Sequence, residues 1–358
     1  MNRHISGVRP YVPGKPIAAV RRELGLEHVM KLASNENALG PSPRALRAIR
    51  EHLEEIHRYP ESLAPELRHQ LAKRLSVADD QIILGNGSNE LLVLLAQAFL
   101  GEGDEFVFAD LSFVVYEMMA QMTGATAVKV PLKAYTHDLP AMRAACTPRT
   151  KMVCLCNPNN PTGTMVSKKE LEAFLADLPS SVIVLLDEAY FEFVERADYP
   201  SGIDYVGAGR PVVALRSFSK IYGLAGLRIG YGISHAELVQ ILHRIRQPFN
   251  VNQLAIHGAL AALSDAKHVA ATLKMVSEGR SQLIQAFDEW HLTQVPSVAN
   301  FIYVDFQKSA QAIVQRLLER GIVIRQMTDS GVRVTIGTSE ENLKLIEHLK
   351  EILAPRHV

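Results

Sequence analysis

Cysteine is scarce in this sequence. The 358-residue chain has three cysteines, Cys146, Cys154 and Cys156. Their odd number excludes a framework in which every cysteine is paired, and none of them has the C-x-x-C spacing of zinc sites or redox-active dithiols. We therefore predict a reducing compartment and no metal site, and we expect the three cysteines to be small buried apolar side chains.

The chain also lacks a net charge and a long apolar run. Thirty-eight basic residues balance 38 acidic ones, so no overall field attracts nucleic acid or an anionic membrane. The most apolar helical run, Leu91 to Leu100, is half of the roughly 20 residues that a membrane span needs. Residues 1–16 contain no apolar stretch of the kind found in secretory signals. We expect a cytoplasmic protein with neither nucleic-acid nor membrane partners.

What the sequence does contain is typical of a globular α/β protein. Apolar residues make up 47% of the chain and charged residues 21%, and the length suggests about two domains. Between residues 81 and 217, short apolar runs alternate with helical patterns, which predicts βαβ units and a parallel sheet. Residues 236–290 are mostly helical, and residues 301–336 interleave strands and helices. We predict an N-terminal arm and part of a small domain over residues 1–45, a large domain over 46–250, and an interdomain helix with a small α+β domain over 251–358.

The stretch that follows the apolar run Val212-Val213-Ala214-Leu215 carries the main chemical signal. Ser217, Ser219 and Arg228 can donate hydrogen bonds to a phosphate. Lys220 lies between them in sequence, where its amine could form a Schiff base with a phosphorylated aldehyde such as pyridoxal 5′-phosphate (PLP). The alternative is a solvated turn in which Lys220 and Arg228 are ordinary surface charges.

A second anion site is predicted where the run Gln81-Ile82-Ile83-Leu84 leads into Gly85-Asn86-Gly87-Ser88-Asn89-Glu90 and then a helix. Free backbone N–H groups and the positive end of the helix converge at such a turn. A dinucleotide fingerprint would need a third glycine where Glu90 stands. A single phosphate held by backbone amides and Ser88 fits the pattern better.

Two further polar residues end neighbouring strand-like runs. Asn157 follows residues 151–156, and Asp187 follows five aliphatic residues. Ligands of open α/β sheets bind outside the carboxyl ends of strands, so Asn157, Asp187 and Lys220 can face one crevice. Asp187 is either a helix N-cap or a carboxylate that needs a cation such as the pyridinium of PLP. Arg333, in a β-branched strand, is either a ligand-binding residue or a solvated side chain.

Considered together, these residues belong to motifs that extend over nearly the whole chain. They include RPYVPGKP from Arg9, LASNEN from Leu32, GNGSNE from Gly85, NPNNPTG from Asn157, DEAY from Asp187, SFSKIYGLAGLRIGY from Ser217 and VRVTIGT from Val332. The chain resembles the fold-type I PLP-dependent enzymes of the aspartate-aminotransferase superfamily, and within it the histidinol-phosphate aminotransferase family. The resemblance implies an α/β fold with a mostly parallel, seven-stranded sheet in a large domain and a smaller α+β domain.

The resemblance also implies roles for individual residues. Lys220 would bind PLP as a Schiff base and move the substrate proton, Asp187 would keep the pyridine nitrogen protonated, and Tyr190 and Asn157 would contact the ring hydroxyl. Tyr116 would stack on the ring. The cofactor phosphate would be held by Gly87, Ser88, Asn89, Ser217, Ser219 and Arg228, with Tyr59 from the other subunit of a homodimer. Arg333 would pair with the glutamate carboxylate, and Asn35, Tyr11 and Arg325 would seat the rest of the substrate.

The activity that the resemblance implies is a reversible transamination between histidinol phosphate and 2-oxoglutarate in histidine biosynthesis. Two departures from the family pattern are visible, Ala38 and Leu111, each at a position usually occupied by proline. The second lies in the loop before Phe113 and Tyr116, on which the choice of stacking residue depends. The alternatives are an aminotransferase for free aromatic amino acids, a PLP-dependent decarboxylase of phosphorylated amino acids, a catalytically inactive ligand sensor and a nicotinamide-dependent dehydrogenase.

Overall fold

The computed structural model describes residues 3–8, 10–12, 14–207 and 210–354. Arg9 and Pro13, which belong to the predicted N-terminal arm, lie outside the described residues, and the rest of residues 10–16 form neither helix nor strand. The α-helices are α1 Ile17–Leu24, α2 Pro43–Glu51, α3 Pro65–Leu75, α4 Ser88–Phe99, α5 Val115–Thr123, α6 Leu139–Ala144, α7 Lys168–Asp177, α8 Ala236–Ile245, α9 Gln253–Leu263, α10 Ala266–Glu289, α11 Gln311–Glu319 and α12 Ser339–Leu353.

The strands of the described residues form three separate sheets. They are β1 Met30–Lys31, β2 Ile82–Gly85, β3 Glu105–Ala109, β4 Thr126–Val130, β5 Thr150–Cys156, β6 Ile183–Asp187, β7 Val212–Ser217, β8 Gly230–Ile233, β9 Thr293–Val295, β10 Phe301–Asp305, β11 Ile322–Val323, β12 Arg325–Gln326 and β13 Gly331–Thr335.

The largest sheet has seven strands in the order β2-β8-β7-β6-β5-β3-β4. Strand β8 is antiparallel to both of its neighbours, and the other described pairs of this sheet are parallel. The mostly parallel, seven-stranded sheet is thus confirmed. The position of β8 was not predicted, because its sequence Gly230-Tyr231-Gly232-Ile233 contains two glycines, which are unfavourable inside strands.

The central strands of this sheet are covered on both faces. Leu185 of β6 and Val213 of β7 pack with α4 and α5 residues in one core cluster. Val184 and Val212, their neighbours in sequence, pack with α6 and α7 residues in another. Successive side chains of a strand point to opposite faces, so a strand buried on both faces reads as a continuous apolar run. This is why β5, β6 and β7 were predictable from sequence.

Strands β9 to β13 lie outside the large sheet. Four of them form an antiparallel sheet in the order β12-β13-β10-β9, and β1 pairs in parallel with β11. This arrangement agrees with the predicted α+β tail, whereas the domain boundaries at residues 45 and 250 stay a prediction. The predicted long helix from Gln253 is two helices, because Asp265 accepts a hydrogen bond from His268 N and caps α10. Among the described residues, no helix is both long and apolar enough to cross a membrane.

Truncation of the sheet core tests this assignment of the buried strands. Leu185 is fully buried in β6, so we expect Leu185→Ala to lower the free energy of unfolding by about 2–5 kcal/mol through lost packing and a new cavity. Urea unfolding followed by circular dichroism measures the change. The matched control is Leu343→Ala in α12, where the side chain is 55% exposed and the expected change is within about 0.5 kcal/mol. Equal losses in both variants would contradict the assignment.

Candidate active site

Three central strands end at the same edge of the large sheet. Strands β5, β6 and β7 finish at Cys156, Asp187 and Ser217, and Cys156 is in register with Asp187. All three residues line a cavity of about 350 Å³. The crevice predicted at the carboxyl ends of the strands is therefore present.

Most of the predicted site residues line this one cavity. Residues from the loops after β7 and β1, from the start of α4 and from β12 and β13 meet there. The predicted residues that line it are Tyr11, Asn35, Ser88, Asn89, Asp187, Tyr190, Ser217, Ser219, Lys220, Arg228, Arg325 and Arg333.

Lys220 is partly buried, and its environment favours the neutral amine. Burial lowers the pKa of Lys220 to about 8, and the positive charge of Arg333 acts in the same direction, against Glu36 and Asp187. Its Nζ donates a hydrogen bond to Ser34 O at 3.3 Å and lies 5.6 Å from the centre of the Tyr190 ring. A lysine with a lowered pKa is a better nucleophile near neutral pH.

Donors for an anion are concentrated at the start of α4. Gly87 has φ of 77° and precedes the first helical residue, Ser88, so the N-terminal N–H groups of the helix are available there. Ser217 Oγ accepts a hydrogen bond from Ser219 N at 3.1 Å, which leaves the Ser217 hydroxyl proton free to donate. A side chain at Gly87 would collide with the guanidinium of Arg228, so the glycine lets this cation approach the turn.

Asp187 is a buried carboxylate at the end of β6. Its Oδ1 accepts a hydrogen bond from Ala189 N at 3.2 Å, and its Oδ2 accepts one from the Tyr116 hydroxyl at 2.7 Å. Burial raises the pKa of Asp187, and the Tyr116 hydrogen bond, the Ala189 N–H and the charge of Lys220 oppose the rise. The ion pairs found among the described residues do not include Asp187. A cationic ligand in the cavity would therefore relieve its desolvation cost.

Asn35 ties the cavity wall to the small antiparallel sheet. Its Nδ2 donates to the Tyr190 hydroxyl at 2.9 Å, while its Oδ1 accepts from Thr335 Oγ1 at 3.1 Å. Nδ2 of the buried Asn35 thus positions the Tyr190 hydroxyl, and its Oδ1 connects Asn35 to β13. Burial raises the pKa of Tyr190, so its hydroxyl stays protonated and can donate to a ligand.

Arg333 supplies a buried cation to the same cavity. Its guanidinium donates to Asn160 Oδ1 and to Ala33 O, each at 2.5 Å, while its buried Nε has no hydrogen-bond partner. Arg325 lies on the same side and donates to Val12 O at 2.9 Å. A buried guanidinium with an unused donor is suited to a carboxylate ligand.

Asn157 is not placed as predicted. Its Oδ1 accepts from Val166 N at 3.0 Å and its Nδ2 donates to Val166 O at 3.4 Å, so the side chain is used inside the turn and does not line the cavity. Asn160, the other asparagine that precedes a proline in NPNNPTG, lines the cavity. Because Arg333 already donates to Asn160 Oδ1, the amide nitrogen of Asn160 is the group that can donate to a ligand.

Tyr116 is also placed differently from the prediction. It lies on the buried side of α5, 1% exposed, with its ring against Phe106, Phe108 and Phe113 and its hydroxyl on Asp187. Phe113, which comes before the helix, lines the cavity in its place. The expectation that Tyr116 stacks on a ligand ring does not agree with this placement, because Tyr116 lies on the buried side of α5 with its hydroxyl on Asp187 and does not line the cavity.

Two other predicted residues lie beside or away from the cavity. Gly87 shapes the turn before α4 and does not line the cavity. Tyr59 is 82% exposed and stacks on Phe249 with ring centres 4.7 Å apart. Its predicted contact with a cofactor requires a second subunit and stays a prediction.

Several lining residues were missed by the sequence analysis. They are Gly14, Ala33, Ser34, Glu36, Phe113, Cys156, Asn160, Ala189 and Ala225. Two of them could have been predicted from motifs already identified. Asn160 is the asparagine of the second Asn-Pro pair in NPNNPTG, and Phe113 is the aromatic residue before α5. Backbone neighbours such as Ser34 and Ala33 have no chemical signature in sequence.

The opposite face of the same strand ends holds a buried ion pair. Glu188 Oε2 accepts a hydrogen bond from Arg216 Nε at 3.0 Å, and both side chains are at most 4% exposed. The guanidinium of Arg216 also donates to Ser201 Oγ at 3.1 Å and lies 3.4 Å above the Phe191 ring centre. Asp187 and Ser217, the adjacent residues in sequence, face the cavity instead.

The chain is similar to known aminotransferases over almost its full length. It is 48% identical over 355 residues to the histidinol-phosphate aminotransferase of Moorella thermoacetica, covering 98% of this chain and 92% of the relative. It is 45% identical over 356 residues to histidinol-phosphate aminotransferase 2 of Pseudomonas fluorescens, covering 98% and 96% of the two chains.

A solved structure has the same fold. The histidinol-phosphate aminotransferase of Sinorhizobium meliloti in complex with pyridoxal-5′-phosphate superimposes with a TM-score of 0.92 at 28% identity, covering 99% of this chain and 97% of the other. The family model described as aminotransferase class I and II matches residues 27–349. The cavity brings together a lysine, a buried aspartate and several hydrogen-bond donors that suit an anion. Because the family model matches residues 27–349, the protein is a member of the class I and II aminotransferase family.

Proposed function

We propose that the protein is a PLP-dependent histidinol-phosphate aminotransferase of histidine biosynthesis. The main observation behind the proposal is that Lys220, Asp187 and the hydrogen-bond donors around Ser88, which could bind a phosphate, line one cavity. The full-length similarity to relatives that bear this name supports the choice of substrate.

The residues present fit PLP. The phosphate can accept hydrogen bonds from the N–H groups of Ser88 and Asn89, from the hydroxyls of Ser217 and Ser219, and from Arg228. The buried carboxylate of Asp187 suits a protonated pyridine nitrogen, because a buried charge needs a partner. Asn160 and Tyr190 are donors for the ring hydroxyl, and Phe113 offers an aromatic face. These assignments replace Asn157 with Asn160 and Tyr116 with Phe113.

Bound PLP supplies an electron-accepting ring that makes the Cα hydrogen of an attached amino acid acidic. The chain provides the remaining functions. Nζ of Lys220 takes the proton from the substrate Cα and later returns it, which is general acid–base catalysis by an amine with a suitable pKa. Asp187 stabilises positive charge at the ring nitrogen.

The positively charged side chains of the cavity, Arg325 and Arg333, favour anionic substrates. Glutamate donates its amino group and leaves as 2-oxoglutarate, and imidazole-acetol phosphate receives the amino group and becomes histidinol phosphate, so one amine and one carbonyl oxygen are exchanged. Arg333 is the partner proposed for the glutamate carboxylate, because its Nε is buried without a hydrogen bond. Arg325, Tyr11 and Asn35 are proposed to seat the rest of the substrate.

We also propose that two copies form a homodimer in the cytoplasm. Tyr59 stacks on the exposed Phe249, and three further exposed apolar side chains lie close to Tyr59 in sequence; exposed apolar patches commonly mark an interface. These side chains are Leu53, Ile56, Leu63 and Phe249, which are 41% to 66% exposed. The three cysteines are free, in agreement with a reducing compartment. The division into a large domain ending near residue 250 and a small domain after it remains part of the proposal.

A paired substrate assay tests the proposed specificity. Glutamate-dependent amination is measured with imidazole-acetol phosphate and with phenylpyruvate under the same conditions. We expect the phosphorylated ketone to have a kcat/KM at least about 100-fold higher, because its phosphate would pair with Arg325, which phenylpyruvate leaves without an anion. A 100-fold ratio corresponds to about 2.8 kcal/mol, at 1.4 kcal/mol for each tenfold step. Equal use of phenylpyruvate would favour an aromatic aminotransferase, and release of carbon dioxide from a phosphorylated amino acid would favour a decarboxylase.

Removal of the Lys220 amine should abolish both covalent capture of PLP and turnover. We expect Lys220→Ala to show no mass increase after incubation with PLP and borohydride, and activity at least about 1,000-fold below wild type, since general acid–base catalysis alone contributes about 10²–10⁴-fold. Lys344→Ala is the control, because Lys344 is an exposed lysine of α12 paired with Glu340. A Lys220→Ala variant that transaminates readily would contradict the assignment.

The pH dependence of PLP capture tests the environment of Lys220. The neutral amine is the nucleophile, and its fraction grows as pH rises through the pKa of about 8. We expect the rate of capture by the cofactor-free protein, followed by absorbance, to rise with pH and level off above about 8, instead of above about 10.4 as for an ordinary lysine. Glu36→Gln removes a negative charge and should move the plateau to lower pH. A rate that still rises at pH 10 in wild type would be inconsistent with a desolvated Lys220.

A further inference from the structure

Tyr116 makes a direct hydrogen bond to the acid of the active site. Its hydroxyl donates to Asp187 Oδ2 at 2.7 Å, and both side chains are buried, at 1% and 4% exposure. Burial raises the pKa of the Tyr116 hydroxyl well above its usual value, and the neighbouring Asp187 adds to the rise. Burial therefore favours the protonated hydroxyl, which is the form that donates to Asp187.

The position of this donor is fixed by packing. The Tyr116 ring makes edge contacts with Phe106, Phe108 and Phe113, with ring centres 6.5, 6.1 and 5.8 Å away. The first two phenylalanines belong to β3, and Phe113 belongs to the cavity wall. Tyr116 thus links the core of the sheet, the aromatic wall of the cavity and the carboxylate of Asp187.

We propose that Tyr116 is a positioning residue that orients the Asp187 carboxylate toward the cofactor and keeps it ionised. This proposal rests on the function proposed above and adds a residue that does not itself line the cavity. A carboxylate has about four acceptor positions. Tyr116 and Ala189 N occupy one on each oxygen, which restricts rotation of the carboxylate and leaves acceptor positions for the cavity side.

The groups around Asp187 determine in which direction its pKa changes when the Tyr116 hydroxyl is removed. Burial favours the protonated acid, whereas the Tyr116 hydroxyl, the Ala189 N–H and the charge of Lys220 favour the carboxylate. The thiols of Cys154 and Cys156 also lie nearby, and burial raises their pKa values, so they stay neutral. Removing the Tyr116 hydroxyl therefore raises the pKa of Asp187, and the carboxylate is protonated at a higher pH than in wild type.

The experiment compares wild type with Tyr116→Phe, which loses one oxygen atom and keeps the ring packing. We expect Tyr116→Phe to bind PLP about ten- to hundredfold more weakly, as for the loss of a hydrogen bond to a charged group. The visible absorbance of the bound cofactor should change at a higher pH, and the acid limb of the kcat profile should move the same way. KM for glutamate should change by less than about threefold, because Arg333 is untouched.

Tyr303→Phe is the matched control. Tyr303 is a buried tyrosine whose hydroxyl bonds to Thr328 at 3.1 Å, outside the cavity, so this variant should match wild type in affinity and spectrum. A Tyr116→Phe protein that matches wild type in affinity, absorbance titration and acid limb overturns the proposal. A wild-type protein that binds no PLP contradicts the proposed function itself and, with it, this role.

A double-mutant cycle separates positioning from general packing. If Tyr116 acts through Asp187, the effect of Tyr116→Phe on PLP affinity disappears when Asp187→Asn is already present. An unchanged effect in that background overturns the proposal. Should Tyr116→Phe fail to fold, proton NMR of cofactor-free wild type and Asp187→Asn serves instead. We expect a slowly exchanging hydroxyl proton in wild type that shifts in Asp187→Asn, and an identical spectrum in both overturns the proposal.

Discussion

The active site depends on parallel strand pairing. Strands β5, β6 and β7 run in the same direction and in register, so their carboxyl ends deliver Cys156, Asp187 and Ser217 to one edge. The loops that leave this edge then carry the chemistry, as is general for open α/β sheets. Lys220 follows β7 by three residues, so its proximity to Asp187 is a consequence of sheet topology.

Desolvation gives these groups their reactivity. Burial pushes the pKa of Lys220 down and the pKa of Asp187 up, so both groups are shifted toward their neutral forms. A ligand that offers an aldehyde and a protonated ring nitrogen satisfies both at once. The same cavity holds Arg333, whose charge lowers the pKa of Lys220 further. An anionic substrate would offset that charge, so substrate binding and the protonation of Lys220 are coupled.

Much of the fold was predictable because buried parallel strands have distinctive sequences. Strands β5 to β7 are continuous aliphatic runs, and α7 has the Ser167 and Glu170 of a capping box. Strand β8 was missed because its two glycines break the pattern. In the site, residue types with strong chemistry such as Lys220, Asp187 and Arg333 were found. The choice between Asn157 and Asn160, or between Tyr116 and Phe113, depends on side-chain direction within a turn, which one sequence does not encode by spacing alone.

The ion pair between Glu188 and Arg216 bears on how the strand ends are kept in alignment. Each of its residues is adjacent in sequence to a cavity residue, Asp187 or Ser217, and alternate side chains of a strand face opposite sides. A one-residue slip of β6 or β7 would turn the charged side chain of Glu188 or Arg216 into the cavity, and would turn Asp187 or Ser217 toward the Phe191 ring on the opposite face. The ion pair thus favours the correct strand register. A shift of β6 relative to β7 would separate Glu188 from Arg216 and leave a buried charge without a partner, which is strongly destabilising.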